Sequence, residues 1–298
     1  MKAKKILILG ATGMLGNTLF ARFSTDENLD VFATVRTLDG LSRRFAPGAL
    51  AKVHACVDAD NFDSILRVLA AVRPDVVINC IGIIKQLPIA KDPVVSISIN
   101  ALFPHRLALA CKASGARLIH ISTDCVFRGD KGNYSEDDPS DAEDLYGRSK
   151  FLGEVDSSHC VTLRTSIIGH ELKGGHGLID WFLAQQGKVR GFTRAVYSGF
   201  TTVEMARIIS GFVIPKEELS GIYHVSSAPI TKDGLLRLVA ARYGKDIEIE
   251  PYDRFVCDRS LDSSRFRTIA GYTPPTWPEM VEGMWQDYLE KQGQTKLQ

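Results

Sequence analysis

The 298-residue sequence lacks a charge bias, a long apolar run and any paired cysteine motif, and each absence removes a class of function. Thirty-six Lys and Arg against 35 Asp and Glu leave a formal net charge of +1, so bulk charge points to neither nucleic acid nor a membrane surface. Apolar stretches stop short of the ~20 residues a membrane helix needs. The opening MKAKKILIL resembles the start of a signal peptide, but its apolar run, residues 6–9, ends at Gly10. The cysteines (Cys56, Cys80, Cys111, Cys125, Cys160 and Cys257) form no CxxC and no cluster. That argues against a disulfide framework and against zinc, and for a reduced, cytoplasmic protein. His170 and His176 have no further ligands at metal spacing, so no metal site is expected. There are no internal repeats and no low-complexity tracts.

What is present alternates. Residues 5–9 read as a buried strand, followed by Gly10-Ala-Thr-Gly13-Met-Leu-Gly16 and the helical pattern Leu15, Leu19, Phe20, Phe23. In a strand–glycine turn–helix unit, the glycines of this turn, with Thr12 between Gly10 and Gly13, would let backbone N–H groups and a helix N-terminus approach a pyrophosphate. A second strand, residues 30–35, ends in Arg36 with no acid to take a ribose 2′-OH. An arginine there suits a 2′-phosphate, and Arg43 and Arg44 follow closely, so NADP(H) is favoured over NAD(H). A third strand, 53–57, ends at Asp58, placed to meet an adenine amine, and Asn61 is set to cap a helix reaching Val72. The fourth, 76–81, is continuously apolar and runs through Cys80 and Ile81 to Gly82, where a small residue lets a cofactor ribose approach. A helix containing Asn100 follows; inside a helix that side chain needs a partner, and backbone near the site is expected to supply it.

The fifth strand, 118–121, leads into Ser122-Thr123-Asp124, a polar loop, and Tyr146-Gly-Arg-Ser-Lys150. On a helix Tyr146 and Lys150 share a face. The ammonium is expected to lower the phenol's pKa, and Thr123 at the strand end would hold a substrate oxygen beside it. Such a set can protonate an alkoxide as hydride reaches a carbonyl carbon. The pattern predicts α/β architecture: a doubly wound parallel sheet (Rossmann) over residues 1–165 and a smaller C-terminal substrate-binding domain over 166–298, some of whose segments return to the sheet. Beyond a strand at 161–163 come a Gly/His-rich loop (169–177) and a helix (178–184) with Trp181. A helix through Val213 capped by Thr202, a strand at 221–225, a helix at 231–243, a short strand at 247–249, a last helix at 277–289 and a frayed tail follow.

With GATGMLG, STDCVF, KGNYSEDD, YGRSK and LRTS in one chain, the sequence resembles the extended short-chain dehydrogenase/reductase superfamily, and within it the dTDP-4-dehydrorhamnose reductase group. The resemblance implies NADPH-dependent reduction of the C4 keto group of a nucleotide-linked 4-keto-6-deoxysugar. It also implies Thr123, Tyr146 and Lys150 as catalytic residues, and a cofactor site lined by Gly10, Gly13, Met14, Leu15, Arg36, Cys80, Ile81 and Gly82. Lys85, Asp124, Cys125, His176, Trp181, Thr201, Thr202 and Arg259 are the substrate candidates, Arg259 for the diphosphate. The group's tyrosine is replaced by Cys125, and its Arg-Pro-x-Asn-Ser motif by FVCDRSLD, so the sugar stays open. Two alternatives remain. Cys125 and His176 could move a proton α to the carbonyl, giving a bifunctional epimerase/reductase, as in the related GDP-fucose synthase. Or the chain could be a non-catalytic NADP-binding regulator, like the methionine adenosyltransferase β subunit. A dehydratase would need an Asp-Glu pair where Asp124-Cys125 stands. A homodimer is compatible with the sequence.

Overall fold

The apolar runs become the centre of a sheet. The computed structural model describes residues 3–296 except 40, 42–44, 46 and 173, so Arg43 and Arg44 lie outside the described residues. In chain order the first elements are β1 (Lys4–Leu9), α1 (Met14–Phe23), β2 (Leu29–Thr34), α2 (Pro47–Leu50), β3 (Val53–His54) and α3 (Phe62–Val72). Then come β4 (Val76–Asn79), α4 (Pro93–Ser96), α5 (Phe103–Ser114), β5 (Arg117–Thr123), α6 (Leu145–Leu152) and β6 (Cys160–Thr165). With the later strand Gly221–His224 they form one parallel sheet in the order Gly221–His224, β6, β5, β4, β1, β2, β3. Alternation along the strands divides the core. Ile6, Ile8, Ile78 and Ile119 face α1 and the helix Thr202–Ile208, while Leu7, Leu9, Val77 and Leu118 face α3 and α5. The chain order reverses between β1 and β4, which opens a crevice at their carboxyl ends.

Several expectations are corrected. β3 stops after two residues, before the left-handed Cys56 (φ 59°). Asn61 makes no cap; Ser64 Oγ instead donates to Asn61 O at 2.6 Å. Thr201, not Thr202, caps Thr202–Ile208, accepting from Glu204 N at 3.3 Å. The last helix, Trp277–Lys296, runs beyond the expected end at 289 to the last described residue, into the segment expected to fray. The composite helix Pro93–Ser114 does have the length and apolarity of a membrane span, although half of it is buried inside this fold. It is interrupted by a π-helical segment, Ile97–Leu102, that carries Asn100.

After β6 the strands are short. Phe200–Thr201 pairs with Ile167–Ile168, and Lys188–Phe192 with Glu248–Tyr252. Ala195–Tyr197 lies between Ile230–Thr231 and Cys257–Asp258.

Candidate active site

β5 and α6 build the centre of the site. Thr123 closes β5, and its Oγ1 accepts from Cys125 N at 3.1 Å and donates to Asp124 Oδ1 at 3.2 Å. Asp144 caps α6 by accepting from Gly147 N at 2.8 Å, which puts Tyr146 in the first turn and Lys150 one turn on. Two glycines set how closely α6 can lie. A Cβ on Gly147 would sit 2.2 Å from Cys125 O, and one on Gly153 1.9 Å from Asn100 O. Any larger residue would push the helix off the loop after β5 or off the π segment, separating Tyr146 from Thr123.

The Tyr146 phenol is held above its ordinary range, by burial first and by Cys125 second; its hydrogen bond with Thr123 pulls the other way. Burial outweighs the lowering expected from Lys150. Lys150 turns its Nζ to Ile121 O at 2.8 Å, and burial brings its own pKa down to about 8, against the pull of Glu154. Burial likewise lifts the Asp124 carboxyl, opposed by Arg259.

On the cofactor side, Gly10 has φ +84°, and a Cβ there would meet Ile81 at 3.1 Å. A Cβ on Gly16 would lie 2.3 Å from Gly10 O, so α1 packs directly on the turn. No side chain caps Gly13, leaving the N-terminus of α1 open to an anion beside exposed Thr12. Arg36 is exposed at the end of β2 and Asp58, half-buried after β3, accepts from Asp60 N at 3.1 Å. This concave backbone cradle fits a dinucleotide pyrophosphate.

Two buried amides support this cradle, and sequence reasoning missed the first. Buried Asn79 contacts His120 Nδ1 at 3.1 Å and accepts from Ile81 N at 3.1 Å. Asn100, read correctly as needing a backbone partner, accepts from Ile83 N at 2.8 Å and donates to Ser149 Oγ at 3.3 Å. It therefore ties the cofactor loop to α6.

The substrate candidates divide. Lys85 lies 3.9 Å from Asp144 Oδ2, over the start of α6. Arg259 Nε donates to Phe127 O at 2.7 Å and its Nη1 lies 3.8 Å from Cys125 Sγ, which places it beside the loop after β5. Trp181 is exposed on the helix Leu178–Ala184. Thr201 and Thr202 are buried; Thr201 caps a helix and Thr202 packs against Gly169. His176 is exposed, its N–H bonded to Glu171 Oε2 at 2.7 Å. The charged groups acting most on Cys125 are Asp124, Arg259 and Lys85, and burial pushes its thiol up to about 12.

A parallel-sheet fold with this crevice belongs to a known class. The chain belongs to the family described as the RmlD substrate binding domain, matched over residues 4–289. It is 29% identical to the spore coat polysaccharide biosynthesis protein SpsK of Bacillus subtilis (strain 168), covering 96% of this chain and 97% of that protein. It is also 29% identical to a dTDP-4-dehydrorhamnose reductase of Mycolicibacterium smegmatis, covering 76% of this chain and 65% of that protein. Its fold matches the crystal structure of dTDP-4-dehydrorhamnose reductase from Bacillus anthracis in complex with NADP, with a TM-score of 0.79 at 21% identity, over 96% of this chain and all of that one.

Proposed function

We propose that this protein is an NADPH-dependent reductase of the C4 keto group of a nucleotide-linked 4-keto-6-deoxysugar. The observation that carries the reading is the meeting of Thr123, Tyr146 and Lys150 at the carboxyl end of β5, next to the glycine turn after β1. Relatives named as reductases of this kind, and an NADP-bearing structure of the same fold, support it.

NADPH supplies the hydride when bound. Tyr146 then gives its phenolic proton to the C4 oxygen, and Thr123 Oγ1 donates to the same oxygen as charge develops. A buried phenol with a raised pKa keeps its proton until that charge appears. Lys150, still protonated at neutral pH, stabilises the phenolate left behind. Exposed Arg36 pairs with the cofactor's 2′-phosphate and Arg259 with the substrate's negative charge. Residues 1–165 carry the NADP side and residues 166–298 most of the sugar side.

Six cysteines with no disulfide among the described residues suit a reducing cytoplasm. A homodimer would cover the exposed apolar side chains Val94, Ile97, Leu102, Leu109, Phe151 and Leu152, where Leu152 O accepts from His105 Nε2 at 2.7 Å. Light scattering on Leu109→Glu, expected to be monomeric, tests that part.

The main experiment follows NADPH consumption with a panel of dTDP-, UDP- and GDP-linked 4-keto-6-deoxysugars. Wild type should turn over at least one and Tyr146→Phe none at comparable rate. Tight NADPH binding with no turnover of any sugar would replace this reading with the regulatory one.

A further inference from the structure

Beneath the catalytic loop is a phenol that the reduction scheme does not use. Tyr197 is buried (8% exposed), its ring packed against Trp277 at 5.4 Å between centroids. Its hydroxyl is buried and makes no hydrogen bond of good geometry, although Ser166 stands close enough to act on it. An isolated hydroxyl in a protein interior costs free energy, so its position invites a purpose.

The sheet register shows what it faces. Thr123 pairs with Thr165 across β5 and β6, so the next residues, Asp124 and Ser166, leave the sheet side by side. The strand Ala195–Tyr197 turns at Gly199, where an added Cβ would meet Ser166 O at 2.1 Å and Tyr197 OH at 2.4 Å. The phenol therefore lies over Ser166. Ser166 is among the groups that act on both Asp124 and Tyr197, so it stands within reach of each. Asp124 is itself buried (6% exposed) and accepts a hydrogen bond from the Thr123 hydroxyl at 3.2 Å.

Thr123 has only one hydroxyl proton. To donate it to a substrate oxygen, Thr123 must release Asp124, which then stands buried with one donor fewer. We infer that Tyr197 is a positioning residue that, through Ser166, takes over the support of Asp124 when Thr123 turns to the substrate's carbonyl oxygen. Tyr197 O–H donates to Ser166 Oγ, whose O–H donates to the carboxylate. No covalent bond changes and no proton leaves its oxygen. The inference rests on the reductase reading only in giving Thr123 a substrate oxygen to bind.

Two measurements test it. The first compares Tyr197→Phe in wild-type and Asp124→Asn backgrounds. We expect kcat for the reduced sugar to fall about tenfold in the wild-type background, the size of one hydrogen bond to a charged group, with KM and NADPH binding unchanged. In Asp124→Asn the same change should cost less than about twofold, because the carboxylate it serves is gone. Equal losses in both backgrounds, or no loss in either, overturn the inference.

The second needs no sugar. Thr123→Val mimics the released state, and the Asp124 carboxyl is titrated by infrared difference spectroscopy against Asp124→Asn. Arg259, Cys125, Tyr146 and Tyr197 are the charged and titratable groups acting on or beside it. Adding Tyr197→Phe should raise its titration midpoint by about one pH unit, the same tenfold in equilibrium terms; no change overturns the inference even if no sugar is found to turn over.

Discussion

Two buried polar clusters flank α6, and they are built by opposite rules. At its C-terminal end, Arg164 forks onto Glu154 at 2.8 and 2.7 Å, and Ser122 Oγ donates to the same carboxylate at 2.7 Å. Arg164 also reaches His224 Nε2 at 3.2 Å, whose Nδ1 meets Tyr134 O at 2.9 Å. Arg164 and Glu154 are both nearly inaccessible, yet each charge has a partner. Against its first two turns, Thr123, Asp124, Tyr146 and Lys150 crowd together, bonded to one another and to Ile121 O, and burial shifts three of them away from their charged forms. The satisfied cluster holds the sheet to the helix. The other buries ionisable groups against their charged forms, as functional sites do when local rules are broken.

The comparison breaks most sharply at Tyr146. Tyr146→Phe should lower kcat about 10²- to 10⁴-fold, the usual weight of a general acid, while its denaturation midpoint stays near wild type. A stability loss matching the activity loss would put Tyr146 in the structural cluster instead. Arg164→Met should do the reverse. Leaving Glu154 buried and unpaired should cost about 3–5 kcal/mol in urea unfolding, and Glu154→Leu added to it should recover much of that.

Lys150→Met joins the two tests. The folded protein holds this ammonium at a pKa of about 8, against 10.5 for a free lysine, so unfolding takes up a proton between those values. The group therefore costs stability at neutral pH, about 3 kcal/mol, and costs less as pH rises from 8 towards 10.5. Lys150→Met should be inactive yet more stable at pH 7, and its advantage should shrink in unfolding experiments at alkaline pH. A destabilised Lys150→Met would mean the bond to Ile121 O outweighs burial.

Smaller effects belong to the ligand's edges. Arg36→Asp should weaken NADPH by about 1.5–3 kcal/mol and reverse the preference over NADH in cofactor titrations; equal affinities in wild type would remove Arg36 from the site. Arg259→Ala should raise KM for the nucleotide sugar by about 1 kcal/mol with NADPH affinity unchanged. Because its Nε already holds Phe127 O, some loss of kcat should accompany it as the catalytic loop loosens.

The glycine turn, the strands of the sheet and the threonine, tyrosine and lysine were legible because their signals are local. A turn that needs φ +84°, an apolar run bounded by glycine, and a four-residue helical spacing each lie within a few neighbours. The short strands after β6 were harder to read, since two- and three-residue strands leave too little periodicity to see. The direction of the Tyr146 shift was misread for a related reason: proximity to Lys150 was visible in sequence, but the burial that outweighs it was not.

Sequence alone thus determined the sheet-and-crevice architecture and which residue types stand at its mouth, because both follow from short-range pattern. Only the tertiary structure decided which of them meet. Asn100 reaches Ile83 and Ser149, Gly147 lets α6 rest on the Cys125 loop, and Arg164 finds Glu154 because parallel crossovers fold distant segments onto adjacent strand ends. Which partners a buried polar group finds, and so which donors stay free for a ligand, depends on that long-range packing, where an unpaired group costs more than any local propensity can offset.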